Sequence, residues 1–262
     1  MDFGLKGKRV IVTGASKGIG KACAFALAGE GARVCATARS DGLLTQVVKD
    51  IEDAGGKGMW VSADLKLLEG CNKVVDGCVE KWGGVDVLIN VAGAAKTGDI
   101  LDLDVDLISD GLALKSFGYL RMSQLVIPYM QKQSWGRIVN VGGGAGASPN
   151  RTNIPTSIAN IAVQNTTRAL SDAVSGDGIL VNVICPGVTN TERARNFHQA
   201  RAEKEGRSVE DVINEVGSKL PAGRIAESDE VAKVACFFSS EACSYVFASS
   251  IYMDGGTRRA TP

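Results

Sequence analysis

A run of small residues near the amino terminus has the spacing of a phosphate-binding turn. The glycines Gly14, Gly18 and Gly20 lie in the segment TGASKGIG, residues 13–20. Glycines let a backbone approach a diphosphate closely, and the amino end of the following helix carries partial positive charge. Because this turn follows an apolar strand and opens a helix, we interpret it as a dinucleotide-binding site rather than only a tight turn.

Charges beside this turn favour one kind of dinucleotide. A carboxylate at the end of the second predicted strand would bind the adenine-ribose diol, but this position is Ala38. Arg39 and Ser40 follow it, and Lys17 supplies a second cation. Guanidinium and ammonium groups bind phosphate oxygens, so we expect NADP(H) in preference to NAD(H). The alternative is that Lys17 and Arg39 are solvated surface charges.

Apolar segments alternate with amphipathic ones along the whole chain. The predicted strands are residues 9–12, 33–38, 59–61, 85–90, 137–141, 180–184 and 250–253. The predicted helices include residues 18–27, 44–51, 71–82, 105–131 and 157–173. Strands that are apolar throughout imply a parallel sheet covered on both faces. We therefore predict one α/β domain over residues 1–262, a Rossmann-type doubly wound parallel sheet of about seven strands. The polar stretch 191–207 suggests a mobile substrate lid at about residues 188–220.

Further landmarks resemble the short-chain dehydrogenase/reductase family. The segment NVAG at residues 90–93 is similar to its Asn-Asn-Ala-Gly signature, with Val91 in place of the second asparagine. The segment PGVTNT at residues 186–191 is similar to its Pro-Gly loop, and Asp64 stands where the family contacts adenine. The resemblance spans essentially the whole chain. With the glycine turn, it implies that the cofactor contacts are Gly14, Ser16, Lys17, Gly18, Ile19, Gly20, Arg39, Ser40, Asp64, Leu65, Asn90, Ala92, Gly93, Asn160, Pro186, Gly187, Thr189 and Thr191.

The residues with which this family moves a proton are replaced. The resemblance implies a serine, a tyrosine thirteen residues later, a lysine four residues further on, and an asparagine in the preceding long helix. This sequence has Gly143, Thr156, Asn160 and Ala113 at those positions. A threonine hydroxyl is far less acidic than a phenol, and an asparagine carries no charge. General acid–base catalysis contributes about 10²–10⁴ in rate, so its loss argues against ordinary alcohol oxidation while leaving cofactor binding intact.

Four polar residues remain as candidates for the missing chemistry: Thr156, Asn160, Ser148 and Asn153. The resemblance implies that the loop between Gly143 and Thr156 lines the substrate pocket, where Asn150 and Arg151 also lie. The alternative is that the loop residues are turn formers beside Pro149. The glycines at positions 142, 143, 144 and 146 leave room for a bulky substrate or, alternatively, for a flexible, degraded pocket.

Three other reactive side chains are expected to take no part in catalysis. Lys115 is two positions after Ala113, which predicts the opposite face of the helix and a surface or subunit-interface charge. Cys185 is interpreted as a small core residue at a strand end. His198 falls on the predicted lid and is interpreted as a solvated residue.

The composition excludes several classes of partner. Twenty-nine basic residues balance twenty-nine acidic ones, which argues against nucleic acid or an anionic membrane. The seven cysteines are scattered without a CxxC pair, and the single histidine makes a histidine-based metal site improbable. No segment has the length and apolarity of a signal peptide or a membrane span. We expect a cytoplasmic protein with a small-molecule substrate, no metal, and a homo-oligomeric assembly, the last implied by the family resemblance.

Three functions are compatible with these residues. The first is an NADP(H)-dependent oxidoreductase that acts on a small or bulky carbonyl or hydroxyl compound, or an activated alkene, by a non-standard proton route. The second is a cofactor-binding sensor or silent subunit without turnover. The third is a lyase or other elimination enzyme on the same scaffold. The retained phosphate-binding cations favour the first.

Overall fold

The computed structural model describes residues 2–93 and 97–259. Nine strands and nine α-helices are found in this part of the chain. The strands are β1 (Arg9–Thr13), β2 (Arg33–Ala38), β3 (Lys57–Ser62), β4 (Val87–Asn90), β5 (Gly136–Val141), β6 (Ile179–Pro186), β7 (Thr189–Asn190), β8 (Ala226–Glu227) and β9 (Ser250–Met253). The helices are α1 (Gly18–Gly29), α2 (Asp41–Asp53), α3 (Leu68–Trp82), α4 (Asp106–Leu112), α5 (Gly118–Lys132), α6 (Ile154–Val174), α7 (Glu192–Glu205), α8 (Val209–Ser218) and α9 (Ser228–Phe238).

Seven of the strands form one parallel sheet in the order β3-β2-β1-β4-β5-β6-β9. The remaining two, β7 and β8, pair with each other in a short parallel ribbon. The predicted doubly wound sheet of about seven strands is therefore confirmed. The chain changes direction across the sheet between β1 and β4, and ligands of such sheets bind at the carboxyl ends of the strands beside this switch point.

Two hydrophobic cores cover the two faces of the sheet. One packs α1, α2 and α9 against it, and the other packs α3, α5 and the end of α6. The central strands are apolar throughout because both of their faces are buried. All seven cysteines are buried free thiols, as expected for small apolar residues. In the ranges 2–93 and 97–259, no helix is both long enough and apolar enough to cross a membrane.

The long helix predicted over residues 105–131 is one helical run with an irregular middle. Between α4 and α5, residues Ala113–Phe117 form a π-helical turn. A π turn has i→i+5 hydrogen bonds, so it shifts the angular position of the side chains relative to an ideal α-helix. The predicted lid region, residues 188–220, contains α7 and α8, and its mobility stays a prediction.

A partly buried ion pair ties the start of β1 to the turn before β4. Arg9 donates from Nε and Nη2 to the two oxygens of Asp86, at 2.8 and 2.7 Å. The Arg9 backbone N–H also donates to Asp86, at 2.7 Å. Burial by itself raises the pKa of Asp86, but the hydrogen bonds from Arg9 outweigh it and hold that pKa below its ordinary value.

Asp86→Asn is expected to lower the free energy of unfolding by about 3 kcal/mol, because Arg9 then loses its counter-charge. The pair stabilises the fold above the ordinary aspartate pKa and loses this effect as the pH falls through the lowered folded-state pKa, so the difference should shrink in acid. Urea unfolding at several pH values measures it. The control is Asp172→Asn, whose exposed pair with Arg168 is expected to matter by less than about 0.5 kcal/mol. Equal effects of the two variants would contradict the expectation.

Candidate functional site

A cavity of about 810 Å³ lies at the carboxyl ends of the central strands. It brings together residues that follow β1, β4, β5 and β6 with residues of α6 and α7. Of the predicted site residues, those lining it are Gly14, Lys17, Gly18, Ile19, Gly20, Ala92, Gly93, Gly143, Ser148, Asn153, Thr156, Asn160, Pro186, Gly187, Thr189 and Thr191. The glycine turn and the replaced proton-transfer positions thus share one space.

The glycine turn has no room for side chains at two of its positions. Gly14 has φ +65°, and a Cβ there would lie 3.0 Å from the backbone of Ala92. A Cβ on Gly20 would lie 2.2 Å from the carbonyl oxygen of Gly14. Helix α1 has neither a side-chain cap nor an acidic residue in its first turn. Its amino end is therefore open to an anion.

Thr13 holds the turn against the end of β4. Its Oγ1 accepts hydrogen bonds from the backbone N–H groups of Val91 and Ala92, at 2.9 and 3.1 Å. Lys17 lies on the opposite rim, where Nζ is 2.6 Å from Glu192 on α7. More than half of each of these two side chains is exposed, so the pair is weak and a stronger anion can displace Glu192.

Six predicted cofactor contacts lie outside the cavity. They are Ser16, Arg39, Ser40, Asp64, Leu65 and Asn90. Arg39 and Ser40 are exposed at the end of β2, where the carbonyl oxygen of Arg39 accepts a hydrogen bond from the hydroxyl of Ser62, the last residue of β3. The ends of β2 and β3 therefore lie next to each other.

Leu65 and Asn90 are buried. Leu65 belongs to the core on the α3 side of the sheet. The Asn90 amide donates to Asn140 at 2.9 Å, while its Oδ1 is buried without a hydrogen-bond partner among the described residues. Asp64 accepts a hydrogen bond from the backbone of Lys66. Their contact with a cofactor stays a prediction.

Three of the four replaced positions, Gly143, Thr156 and Asn160, line the cavity. A Cβ on Gly143 would lie 2.6 Å from the Asn160 amide nitrogen, so the missing side chain at position 143 makes room for Asn160. Asn160 is 2% exposed, and its Oδ1 has no hydrogen-bond partner in the described part of the chain. A buried amide oxygen without a partner is costly, so it fits a ligand hydroxyl or amide.

The prediction that Lys115 is a surface or subunit-interface charge is wrong. Lys115 lines the cavity, and its Nζ donates to the carbonyl oxygen of Gly142 at 2.9 Å. Ala113, predicted at the family's asparagine position, is not among the lining residues. Residues two positions apart lie about 200° apart on an α-helix, so the two side chains do face different ways. The wrong assumption was that Ala113, rather than Lys115, faces the site.

Burial and, to a smaller extent, the positive charge of Arg193 together lower the pKa of Lys115 to about 8, against a smaller opposing effect of Cys185. The sequence offered one signal that was missed: Lys115 is a lone charge within the run Leu112–Gly118, whose other residues are apolar or small. Arg193 and Arg258 also line the cavity and were not predicted. They come from α7 and from the segment after β9, which the sequence alone does not bring together.

Some polar side chains of the loop before α6 accept hydrogen bonds from the backbone of the same loop. Asn153 Oδ1 accepts from the Asn150 N–H at 2.9 Å, and Asn150 Oδ1 accepts from the Thr152 N–H at 3.0 Å. These bonds fit the turn-forming interpretation. Arg151 forms an ion pair with Asp99 at 2.6 Å outside the cavity. Ser148 lines the cavity.

Cys185 and His198 lie outside the lining of the cavity. Cys185 is fully buried in a small core cluster, and burial raises the pKa of its thiol to about 11. This confirms the prediction of a core residue. His198 lies on α7, with its ring edge against Phe197.

The chain is similar over almost its whole length to several reductases. The chain is 31% identical to the 3-oxoacyl-[acyl-carrier-protein] reductase FabG of Vibrio cholerae over 254 residues, which cover 96% of this chain and 98% of the relative. Among solved structures, the L-sorbose reductase of Gluconobacter frateurii, complexed with NADPH and L-sorbose, superposes with a TM-score of 0.96 at 26% identity over 100% of both chains. An actinorhodin polyketide ketoreductase with NADPH superposes with a TM-score of 0.91 at 28% identity, covering 97% of this chain and 98% of the other.

The family model described as short chain dehydrogenase matches residues 8–202. This range includes the glycine turn, the end of β4 and most of the cavity lining. The relatives named above are reductases, which agrees with an oxidoreductase scaffold. The chain belongs to the short-chain dehydrogenase family.

Proposed function

We propose that this protein is an NADP(H)-dependent oxidoreductase that acts on a carbonyl or hydroxyl group, or an activated alkene, by a proton route different from that of its family. The single observation that carries the proposal is the continuity of the cavity. It extends from an intact glycine turn to the pocket around Gly143, Thr156 and Asn160.

The residues present fit a dinucleotide. Gly14 and Gly20 keep the turn closely packed, because a Cβ at either position would meet backbone atoms, and α1 offers an uncapped amino end to the diphosphate. Lys17 and Arg39 would hold the 2′-phosphate, and Asn160 Oδ1 would accept a hydrogen bond from the ribose. When bound, the nicotinamide would supply or accept a hydride. The chain's part is to bind, orient and exclude water.

The proposal is tested by titrating the protein with NADPH and NADH and then adding carbonyl probes. Phenanthrenequinone, ethyl acetoacetate and cyclohexenone cover an activated diketone, a keto ester and an activated alkene. We expect tight NADPH binding and loss of nicotinamide absorbance with at least one probe. Binding without oxidation of NADPH would instead favour the sensor or silent-subunit function. A product formed without any change in nicotinamide absorbance would favour a lyase.

Glu192→Gln is expected to tighten NADPH binding by up to about fivefold. In the wild type, Lys17 must break its ion pair with Glu192 before it binds the 2′-phosphate. An exposed ion pair stabilises the free protein by about 0–1 kcal/mol, and the variant no longer has to lose this energy on binding. The dissociation constant at low salt measures this change. Glu210→Gln removes another exposed carboxylate of the same region, one paired with Arg195, and is expected to leave NADPH binding unchanged. Weaker NADPH binding by Glu192→Gln would show that Glu192 does not compete with the cofactor phosphate for Lys17.

We also propose a homo-oligomer in the cytoplasm. The seven buried free thiols support a reducing compartment. Phe117 and Ile161, on two central helical segments, are 50% and 38% exposed, which supports their burial between subunits. Light scattering after size-exclusion chromatography measures the assembly, and a monomer at micromolar concentration would contradict it.

A further inference from the structure

Lys115 occupies a position in the cavity that a purely structural lysine would not need. Its aliphatic stem packs over Gly93, where a Cβ would lie 3.1 Å from Cδ. From there Nζ crosses to the carbonyl oxygen of Gly142, which directly follows β5. The ammonium group therefore lies between the ends of β4 and β5, at the inner part of the cavity.

The ammonium group of Lys115 has more N–H donors than its surroundings use. Within residues 2–93 and 97–259, Lys115 forms no ion pair, and its one hydrogen-bond acceptor is Gly142 O. An ammonium group has three N–H donors. The charged and titratable groups that act on it are Arg193 from α7 and Cys185 from β6. Arg193 disfavours the positive charge of Lys115, and the buried Cys185 thiol stays neutral because its pKa is raised.

The other ionisable residues that line the cavity are poor proton donors. Lys17 and Glu192 are paired with each other at the exposed rim. The carboxylate oxygens of Asp254 already accept hydrogen bonds from the backbone N–H groups of Gly256 and Arg258. The guanidinium groups of Arg193 and Arg258 do not give up a proton near neutral pH. Lys115 is the remaining ionisable side chain in the described lining.

We propose that Lys115 is the proton donor to the substrate oxygen when a carbonyl is reduced, in place of the tyrosine and lysine that this chain lacks. The inference rests on the proposed function. As the carbonyl carbon gains a hydride, its C–O π bond breaks and the oxygen takes a proton from Nζ. The two electrons come from NADPH, which becomes NADP⁺. Lys115 is left as a neutral amine and recovers a proton from water; in the oxidation direction, the neutral amine accepts the hydroxyl proton.

The pH dependence follows from the lowered pKa of about 8, which burial causes first and Arg193 second. Reduction needs the protonated amine, so kcat should be constant below about pH 8 and fall about tenfold per pH unit above it. The opposite direction needs the neutral amine and should rise over the same range. Donors with a pKa near the working pH are the most effective general acids.

Two substitutions distinguish a role of Lys115 in proton donation from a structural role through its hydrogen bond to Gly142. Lys115→Arg keeps the charge and the hydrogen-bond donors but holds its proton too tightly to donate. Lys115→Met keeps much of the stem and removes the nitrogen. If Lys115 donates the proton, both variants should lose about 100-fold or more in kcat and lose the fall above pH 8. Their NADPH dissociation constants should change by less than about threefold, which also verifies that they fold.

Lys132→Met is the matched control, because Lys132 is an exposed lysine at the end of α5 in the same helical run. It is expected to keep the wild-type rate and pH profile. A structural role of Lys115 predicts instead that Lys115→Arg restores most of the rate lost in Lys115→Met.

A second measurement needs no turnover. The cofactor-free protein is acylated with acetic anhydride at a series of pH values, and the labelled peptides are quantified by mass spectrometry. Lys115 should be labelled with a midpoint near pH 8. Lys49, whose pKa is raised by its hydrogen bond to Asp53, should become reactive only at higher pH. A Lys115 midpoint as high as that of Lys49 would overturn the proposal.

The outcomes distinguish this inference from the proposed function. If the wild type reduces a probe and Lys115→Arg or Lys115→Met does so at the wild-type rate, Lys115 is not the donor and the proposed function stands. If the wild type binds NADPH but oxidises it with none of the probes, the proposed function is overturned and this inference with it. A loss of rate in both variants, with unchanged NADPH binding and a labelling midpoint near pH 8, supports both.

Discussion

Gly20→Ala should weaken NADPH binding by about 100-fold. The new methyl group would lie 2.2 Å from the Gly14 carbonyl oxygen, and a backbone group cannot give way as the end of a side chain can. The turn must open, which costs about 3 kcal/mol at a tightly packed position and corresponds to about 100-fold in affinity. Fluorescence titration with NADPH measures the effect.

The matched control for this substitution is in the same helix. A Cβ on Gly29 would have no atom within 4 Å, so Gly29→Ala changes helix propensity alone. It should leave NADPH binding unchanged and raise the unfolding temperature slightly. If Gly20→Ala binds NADPH as tightly as Gly29→Ala does, the glycine turn is not the cradle of the diphosphate.

The double substitution Lys17→Ala with Arg39→Ala should weaken NADPH binding by about 100-fold and leave NADH binding unchanged. Each cation is expected to contribute about 1.4 kcal/mol to a phosphate contact, the low end for charged hydrogen bonds because both side chains are exposed. The 2′-phosphate is the only difference between the two nucleotides. The effect on NADH is therefore an internal control.

Salt gives an independent check on this assignment. Exposed charges are screened, so the preference of the wild type for NADPH should fall as the ionic strength rises, and that of the double variant should not. An equal loss of NADPH and NADH affinity in the double variant would show that these residues shape the turn rather than bind the phosphate.

The sequence allowed the sheet and the glycine turn to be predicted because their signals are local. The apolar strands, the residues between Gly14 and Gly20, and the segments after β4 and β6 each carry their pattern within a few residues. The parallel arrangement then brings the strand ends to one edge of the sheet. That is why residues as distant as Gly14, Gly93 and Pro186 line the same cavity.

The position of Lys115 could not be obtained in this way. It depends on which face of the helical run packs towards the cavity, and the family resemblance assigned that face to Ala113 instead of Lys115. The contribution of Arg193 and Arg258 depends on how α7 and the segment after β9 fold over the cavity. The Lys17–Glu192 pair likewise joins two segments that only tertiary packing brings together. In each case the missing information is long-range.

The most direct test of the account follows deuterium from NADPH labelled on the reactive nicotinamide carbon into ethyl acetoacetate or phenanthrenequinone, as a function of pH. If NADPH donates the hydride and Lys115 the proton, the alcohol product should carry deuterium on the former carbonyl carbon and form at a rate that is constant below about pH 8 and falls above it. Tight NADPH binding with no deuterium in either product at any pH would contradict it.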